Sequence, residues 1–291
     1  MGDLGGDWRE AAAEEDPAPA AAGGGPDHLV VMVHGIVGST ADWKFGAEQF
    51  DKLLSGKVIV HCSNRNMHKL TLDGIDVMGE RLAQEVIRQV IEEIDRRPHI
   101  KKISFVAHSV GGLVARYAIG RLYRPPKQTC ENTPQSLSDS SRGTIHGLEA
   151  INFITVASPH LGSRGNKQAF RRRVAYSNVR HDHIVGWRTS SIRQDSELPK
   201  WVDSTNKIYP HIVHEELSKA EAPDQCADTD NCTLEERLLR GLKRVSWEKV
   251  DVSFHNSKVR SAAHSVIQVK DPVMHCEGAD VIQHMIDHFT L

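Results

Sequence analysis

Long apolar runs are missing from this 291-residue sequence. Nothing approaches the roughly 18 consecutive apolar residues of a membrane span, and the N-terminus has neither the basic start nor the apolar stretch of a secretion signal. The expectation is a soluble, cytoplasmic chain. Charge of one sign is missing too: 36 basic against 38 acidic residues leave a net charge of -2, which gives no global field to gather nucleic acid or an anionic membrane. The run Arg171-Arg172-Arg173 reads as a solvated face. Cysteine is scarce and odd in number, with five scattered residues, so a disulfide framework is excluded and a reducing compartment is the simpler reading. Metal and phosphate motifs fail as well. His284 and His288 stand four apart, but Met285 occupies the place where a zinc protease keeps Glu. Cys226 and Cys232 lack a second ligand pair, and Gly23-Gly24-Gly25 precedes the first strand instead of following it. No metal and no organic cofactor is expected.

What is present has a clear order. Residues 1–27, rich in Ala, Gly, Pro and acids, are expected to be disordered, and 28–291 to form one α/β domain. Leu29 to Val33 is a continuous apolar strand of the kind a parallel sheet buries on both faces. Helical spacing follows from Trp43 to Leu54, then a strand at Val58-Ile59-Val60. A helix capped by Asp73 carries an apolar stripe of Met78, Leu82, Val86, Val90, Ile91 and Ile94, and ends before Pro98. Further strands are expected at Ile103–Val106, Ile151–Val156, Val174–Val179 and Val250–Phe254, with extended structure at Val266 to Val269. Helices are expected at Leu234–Leu242 and around Val281–Phe289. The stretch from Pro125 to Ser141 and the acidic stretch around Glu221 to Asp230 read as loops. Strands alternating with helices predict a mostly parallel sheet with right-handed crossovers.

The strand Ile103–Val106 runs straight into a helical pattern through Ala107-His108-Ser109-Val110-Gly111. Small residues two positions either side of Ser109 let strand and helix backbones approach, so the serine can be held strained with its hydroxyl presented. This is a nucleophile elbow, with Ala in place of the commoner first Gly. A serine needs a base to take its proton, and the base needs an acid to orient it. In the chain order of this architecture the acid follows a later strand and the base precedes the last helix. Asp182 fits the first requirement, with Asp203 as the weaker substitute. His255, His264 and His275 all fit the second, and order alone does not choose among them. Donors for a developing oxyanion are expected from the Val110 N–H and from the His34-Gly35-Ile36 loop, through the Ile36 N–H.

The blocks LVVMVHGIVGSTADW (Leu29 to Trp43), FVAHSVGGLVARY (Phe105 to Tyr117), INFITVASPHLGSRG (Ile151 to Gly165), VAYSNVRHDHIVGWRTSS (Val174 to Ser191) and the segment from Ala262 to Phe289 resemble the α/β-hydrolase superfamily. More narrowly, they resemble the plant members of a serine esterase, lipase-like family long labelled as of unknown function. That resemblance implies an α/β-hydrolase fold and hydrolysis of acyl esters, including lipid-like ones, without metal or cofactor. It assigns the general base to the Ala263-His264 pair and the acid to Asp182, giving Ser109, Asp182 and His264 as catalytic residues. Substrate contacts are then expected from His34, Gly35, Val37 and Leu161, near Ile36. Any contact with a membrane or lipid droplet would be peripheral, and nucleic acid is not an expected partner. One departure matters: similar proteins carry a longer segment between Lys167 and Arg171, where Gln168-Ala169-Phe170 stand here. A parallel crossover needs roughly a dozen residues, and Gly162 to Arg173 only just supplies them, so the cap is expected to be shortened. The alternatives are an impaired, shortened isoform serving as a binding or scaffold module, and an acyltransferase using the same three residues.

Overall fold

The computed structural model describes residues 25–126, 143–162, 169–200, 206–222 and 233–291. Residues 1–24 of the segment expected to be disordered, most of the Pro125–Ser141 loop, residues 163–168 of the Gly162–Arg173 crossover, Asp203 and residues 223–232 of the acidic stretch lie outside them.

The uninterrupted apolar run at the start becomes strand β1 (His28–Val33), buried along its whole length. The chain continues through α1 (Lys44–Leu53), β2 (Val58–Cys62), α2 (Ile75–Arg96), β3 (Lys102–His108) and α3 (Gly111–Leu122). Two short strands, β4 (Tyr123–Arg124) and β5 (Thr144–Ile145), precede β6 (Leu148–Val156). After these come β7 (Arg172–Asn178), α4 (Trp187–Ser190), β8 (Ile212–Ser218), α5 (Leu234–Lys243), β9 (Trp247–Val252), α6 (Ala263–Val266) and α7 (Ala279–Asp287). The sheet runs β2-β1-β3-β6-β7-β9-β8. All neighbours on this path are parallel except β8, which pairs antiparallel with β9.

Because strand side chains alternate between faces, β1 feeds two cores. Leu29, Val31 and Val33 join Met78, Leu82, Val86 and Val90 of α2 on one face. Val30 and Met32 join Phe50 of α1 and Val281, Ile282 and Met285 of α7 on the other. Helices on both faces of a mostly parallel sheet give the α/β architecture expected of an α/β-hydrolase. From β1 the chain moves to β2 on one side, then crosses back to place β3 on the other. The carboxyl ends of β1 and β3 therefore flank a topological switch point, where open α/β sheets bind ligands.

Several elements depart from their sequence signals. Asp73 does not cap α2: Gly74 stands there, and Asp73 pairs with Arg81 at 2.6 Å. Ile91 and Ile94 are 51% and 38% exposed: Ile91 lies off the stripe, and a strict four-residue series drifts about 40° per step on a 3.6-residue helix, so by Ile94 it has rotated away from the sheet. Val266, Ile267 and Val269 are buried in a helical turn instead of extended structure, with Val269 at φ +54°. β8 had no signal, because His214, Glu215 and Glu216 in succession put polar side chains on both its faces, as suits an edge strand.

Candidate active site

Ser109 follows β3 directly and sits at φ +54°, a region that costs a residue with a Cβ and recurs at functional positions. Close packing holds it there. A Cβ on Gly111 would stand 2.5 Å from the His34 carbonyl oxygen, and one on Gly112 would stand 2.3 Å from Ser158 Oγ. The first turn of α3 can therefore lie against the loop after β1 and the end of β6 only with glycine at both positions. The Ser109 N–H donates to the Val156 carbonyl at 2.9 Å, tying the turn to β6.

The loop after β1 closes as a tight turn, Gly38 N–H to the Gly35 carbonyl at 3.2 Å. Gly35 passes so near the elbow that a Cβ there would come within 2.9 Å of Ser109 Cβ. Ile36 and Val37 occupy the turn's corners, half exposed or more, with Val37 at φ +51°, unusual for a β-branched residue. Two contacts clamp it. Val37 N–H donates to Thr71 Oγ1 at 2.6 Å, whose own hydroxyl donates to the His68 carbonyl at 2.6 Å, and His68 N–H donates to the Gly38 carbonyl at 2.8 Å. His34 is buried and donates from Nδ1 to the Gly35 carbonyl at 3.0 Å. Burial, outweighing that bond and the nearby carboxylates of Asp42 and Glu85, keeps its ring below the usual histidine range.

Of the three candidate histidines, His264 meets the serine: Nε2 lies 2.9 Å from Ser109 Oγ. Its Nδ1 lies 2.9 Å from Asp182 Oδ2. A carboxylate only accepts, so Nδ1–H donates to Asp182 and Nε2 is left to accept from the serine hydroxyl. His255 instead stacks on His181 with ring centroids 5.9 Å apart, and His275 Nδ1 accepts from the Asp271 N–H at 3.1 Å. Asp182 also accepts from Asn178 Nδ2 and from the N–H groups of Ile184 and Val185 at 2.8 to 3.0 Å. Burial alone would raise its carboxyl. The hydrogen bond and charge of His264, joined by the Val185 N–H and Asn178, hold it below the ordinary aspartate value on balance.

Three polar residues here escaped the sequence reading. His108, next to the serine, donates from Nε2 to the His264 carbonyl at 2.7 Å, with the two rings 4.5 Å apart. Burial, then the His264 charge, push its pKa far down, so it stays a neutral donor. Asn178 and Thr71 complete the set. Only Asn178, the last residue of a strand leading to a candidate acid, had a positional hint. Leu161, with Arg188, Thr189, Leu234, Glu235 and Leu238, lines a cleft of about 330 Å³. Among the described residues, no group of three or more His, Cys, Asp or Glu could hold a metal ion, and no helix is long and apolar enough to cross a membrane.

Comparison with known proteins places these features in context. The family model described as Putative serine esterase (DUF676) matches residues 24–169, half of the chain. Putative lipase ROG1 of Saccharomyces cerevisiae is 33% identical over 140 residues, covering 46% of this chain and 17% of its own length. Putative lipase C4A8.10 of Schizosaccharomyces pombe is 26% identical over 147 residues, covering 49% and 17%. The chain thus spans about a fifth or less of the length of the curated relatives it matches. Among solved structures, Aspergillus fumigatus lipase B is 17% identical, covering 61% of this chain and 45% of that one with a TM-score of 0.36. The mature Bacillus licheniformis lipase BlEst2 is 19% identical, covering 51% and 47% with a TM-score of 0.32.

Proposed function

The chain belongs to the putative serine esterase family, and from that premise we propose that it hydrolyses carboxylic acyl esters with Ser109 as nucleophile, His264 as general base and Asp182 as orienting acid. The observation that supports this most is the unbroken relay of two 2.9 Å contacts, Ser109 Oγ to His264 Nε2 and His264 Nδ1 to Asp182 Oδ2.

In this mechanism Ser109 Oγ attacks the ester carbonyl as its proton passes to Nε2. Asp182 stabilises the resulting imidazolium through Nδ1–H, and the oxyanion is met by the Val110 and Ile36 N–H groups. Loss of such a donor costs about two to three powers of ten in turnover. Collapse of the tetrahedral species hands the Nε2 proton to the leaving alcohol. Water then enters, gives its proton to the same nitrogen, and releases the acid from Ser109. His34, Gly35 and Val37 border the acyl position. Leu161 lines a cleft beside α4 and α5 and is proposed to contact the substrate there. Lipid-like esters fit the exposed apolar residues beside the oxyanion loop, Ile36 and Val37.

A fluorophosphonate probe tests the proposal. We expect stoichiometric labelling of the folded protein, its loss in Ser109→Ala, and hydrolysis of p-nitrophenyl esters that disappears with it. Labelling that survives Ser109→Ala would sink the assignment.

A further inference from the structure

The loops on the acid side of the site have a composition the overall charge conceals. The turn after β7 reads Arg180-His181-Asp182-His183-Ile184, and the one after β9 reads His255-Asn256-Ser257-Lys258-Val259-Arg260. Their one carboxylate, Asp182, is buried to 2% of its side-chain surface and turned inward to His264. Arg180, His183, His255, Lys258 and Arg260 are all exposed. The two loops touch where His181 stacks on His255. Burial of its ring first, then the fields of Arg260, His255, His183 and Arg180, keep His181 below the usual histidine range, so these groups act on one another at short range. No carboxylate of the described residues pairs with Lys258 or Arg260 in an ion pair.

Large apolar side chains are exposed around the same opening. Ile184, within the basic turn, is 66% exposed. In and beside the loop after β1, which runs against Ser109, Val37 is 61% and Leu72 63% exposed, linked because Thr71 bonds the Val37 N–H. A nucleic acid surface would match the charge but leave these side chains without a partner. An anionic lipid surface matches both, with phosphates for the cations and the acyl boundary for Ile184, Val37 and Leu72.

We propose that the Arg180–Ile184 and His255–Arg260 loops, with the apolar residues opposite, form a docking surface for an anionic phospholipid bilayer, with Ser109 at its centre. The surface gives the esterase reading its substrate class, lipid esters met at a negatively charged membrane, and rests on that reading only for its purpose. Binding itself needs no nucleophile.

The test uses the full chain carrying Ser109→Ala, sedimented with phosphatidylcholine vesicles alone or with phosphatidylserine at about 30%. We expect at least about tenfold stronger partition onto the anionic vesicles, weakening as salt shortens the screening length. Lys258→Ala with Arg260→Ala should lower that partition roughly thirtyfold, about fivefold per cation lost near the surface. Lys258→Arg with Arg260→Lys should retain it, and thermal unfolding of both variants checks their folding. Equal partition onto neutral and anionic vesicles, or indifference to salt, overturns the proposal on the parent chain alone. So does displacement from the anionic vesicles by a duplex DNA oligonucleotide at comparable concentration, or a folded alanine pair that binds like the parent. Since Ser109→Ala binds or fails to bind whatever its chemistry, this result is read separately from the probe-labelling result.

Discussion

Around Ser109, main chain meets main chain: Gly111 brings the first turn of α3 against the His34 carbonyl, and Gly35 runs beside the elbow with no room for a Cβ. Around Asp182 and His264 the geometry is carried by side chains, through Asn178, the Ile184 and Val185 N–H groups and the His108 donor to the His264 carbonyl. The difference teaches where each half is vulnerable. Backbone packing fails with any added atom and takes local stability with it. A hydrogen-bonded half tolerates isosteres in its fold while losing chemistry.

Asp182→Asn should give the largest effect and separate the two costs. With the tautomer of His264 no longer enforced, kcat should fall about four powers of ten, while thermal unfolding shifts little because Asn can still accept from the Ile184 and Val185 N–H groups. A large drop in Tm would break the comparison. Gly111→Ala should do the reverse. Its methyl meets a carbonyl oxygen that cannot move without the whole elbow, so unfolding in urea should show a loss of about 3 kcal/mol, and probe labelling of Ser109 should fall with it.

A third expectation concerns pH and the far end of the same core. His28 is buried at the start of β1, its Nε2 accepting from Ser104 at 2.7 Å, and burial, then the Lys102 charge, lower it from 6.5 to about 4. The unfolded chain takes up that proton below 6.5 and the native state does not until about 4. Stability is therefore full above the first value and falls as the pH drops toward the second. Between neutrality and pH 5 the loss from this group should be about 2 kcal/mol, read from urea midpoints and reduced in His28→Asn. The smallest effect belongs to Thr71→Val, which removes the acceptor for the Val37 N–H while keeping shape. We expect kcat to fall about tenfold with KM little changed, and Thr71→Ser to restore it; an equal rise in KM would move Thr71 from oxyanion positioning to substrate binding.

The backbone-held half was the legible one. Ala107, Gly111 and the apolar run before them are local in sequence, and a strained corner needs local residues, so the elbow could be read directly. Parallel order could be read because buried strands are continuously apolar. The side-chain half was harder. Strand order pointed to Asp182, but His255, His264 and His275 are equivalent in order and composition, and only family resemblance separated them before the fold brought His264 to Ser109. Thr71 and His108 had no signature and Asn178 only its place at a strand end, because each acts through hydrogen bonds to a segment far along the chain or across a turn. β8 goes unread and the α6 turn reads as extended structure for a related reason: an edge strand and a buried helical turn obey tertiary packing before periodicity.

Ser109 and His264 are 155 residues apart, and that separation has a consequence during synthesis. At roughly 5 to 20 residues per second, the elbow leaves the ribosome about 10 to 30 s before the histidine that would activate it. Until the segment carrying His264 docks, the serine is an ordinary hydroxyl on a half-built sheet. On the proposed mechanism the nascent chain therefore holds its nucleophile unarmed over that interval, and synthesis of the His264 segment sets the earliest moment at which an ester is attacked.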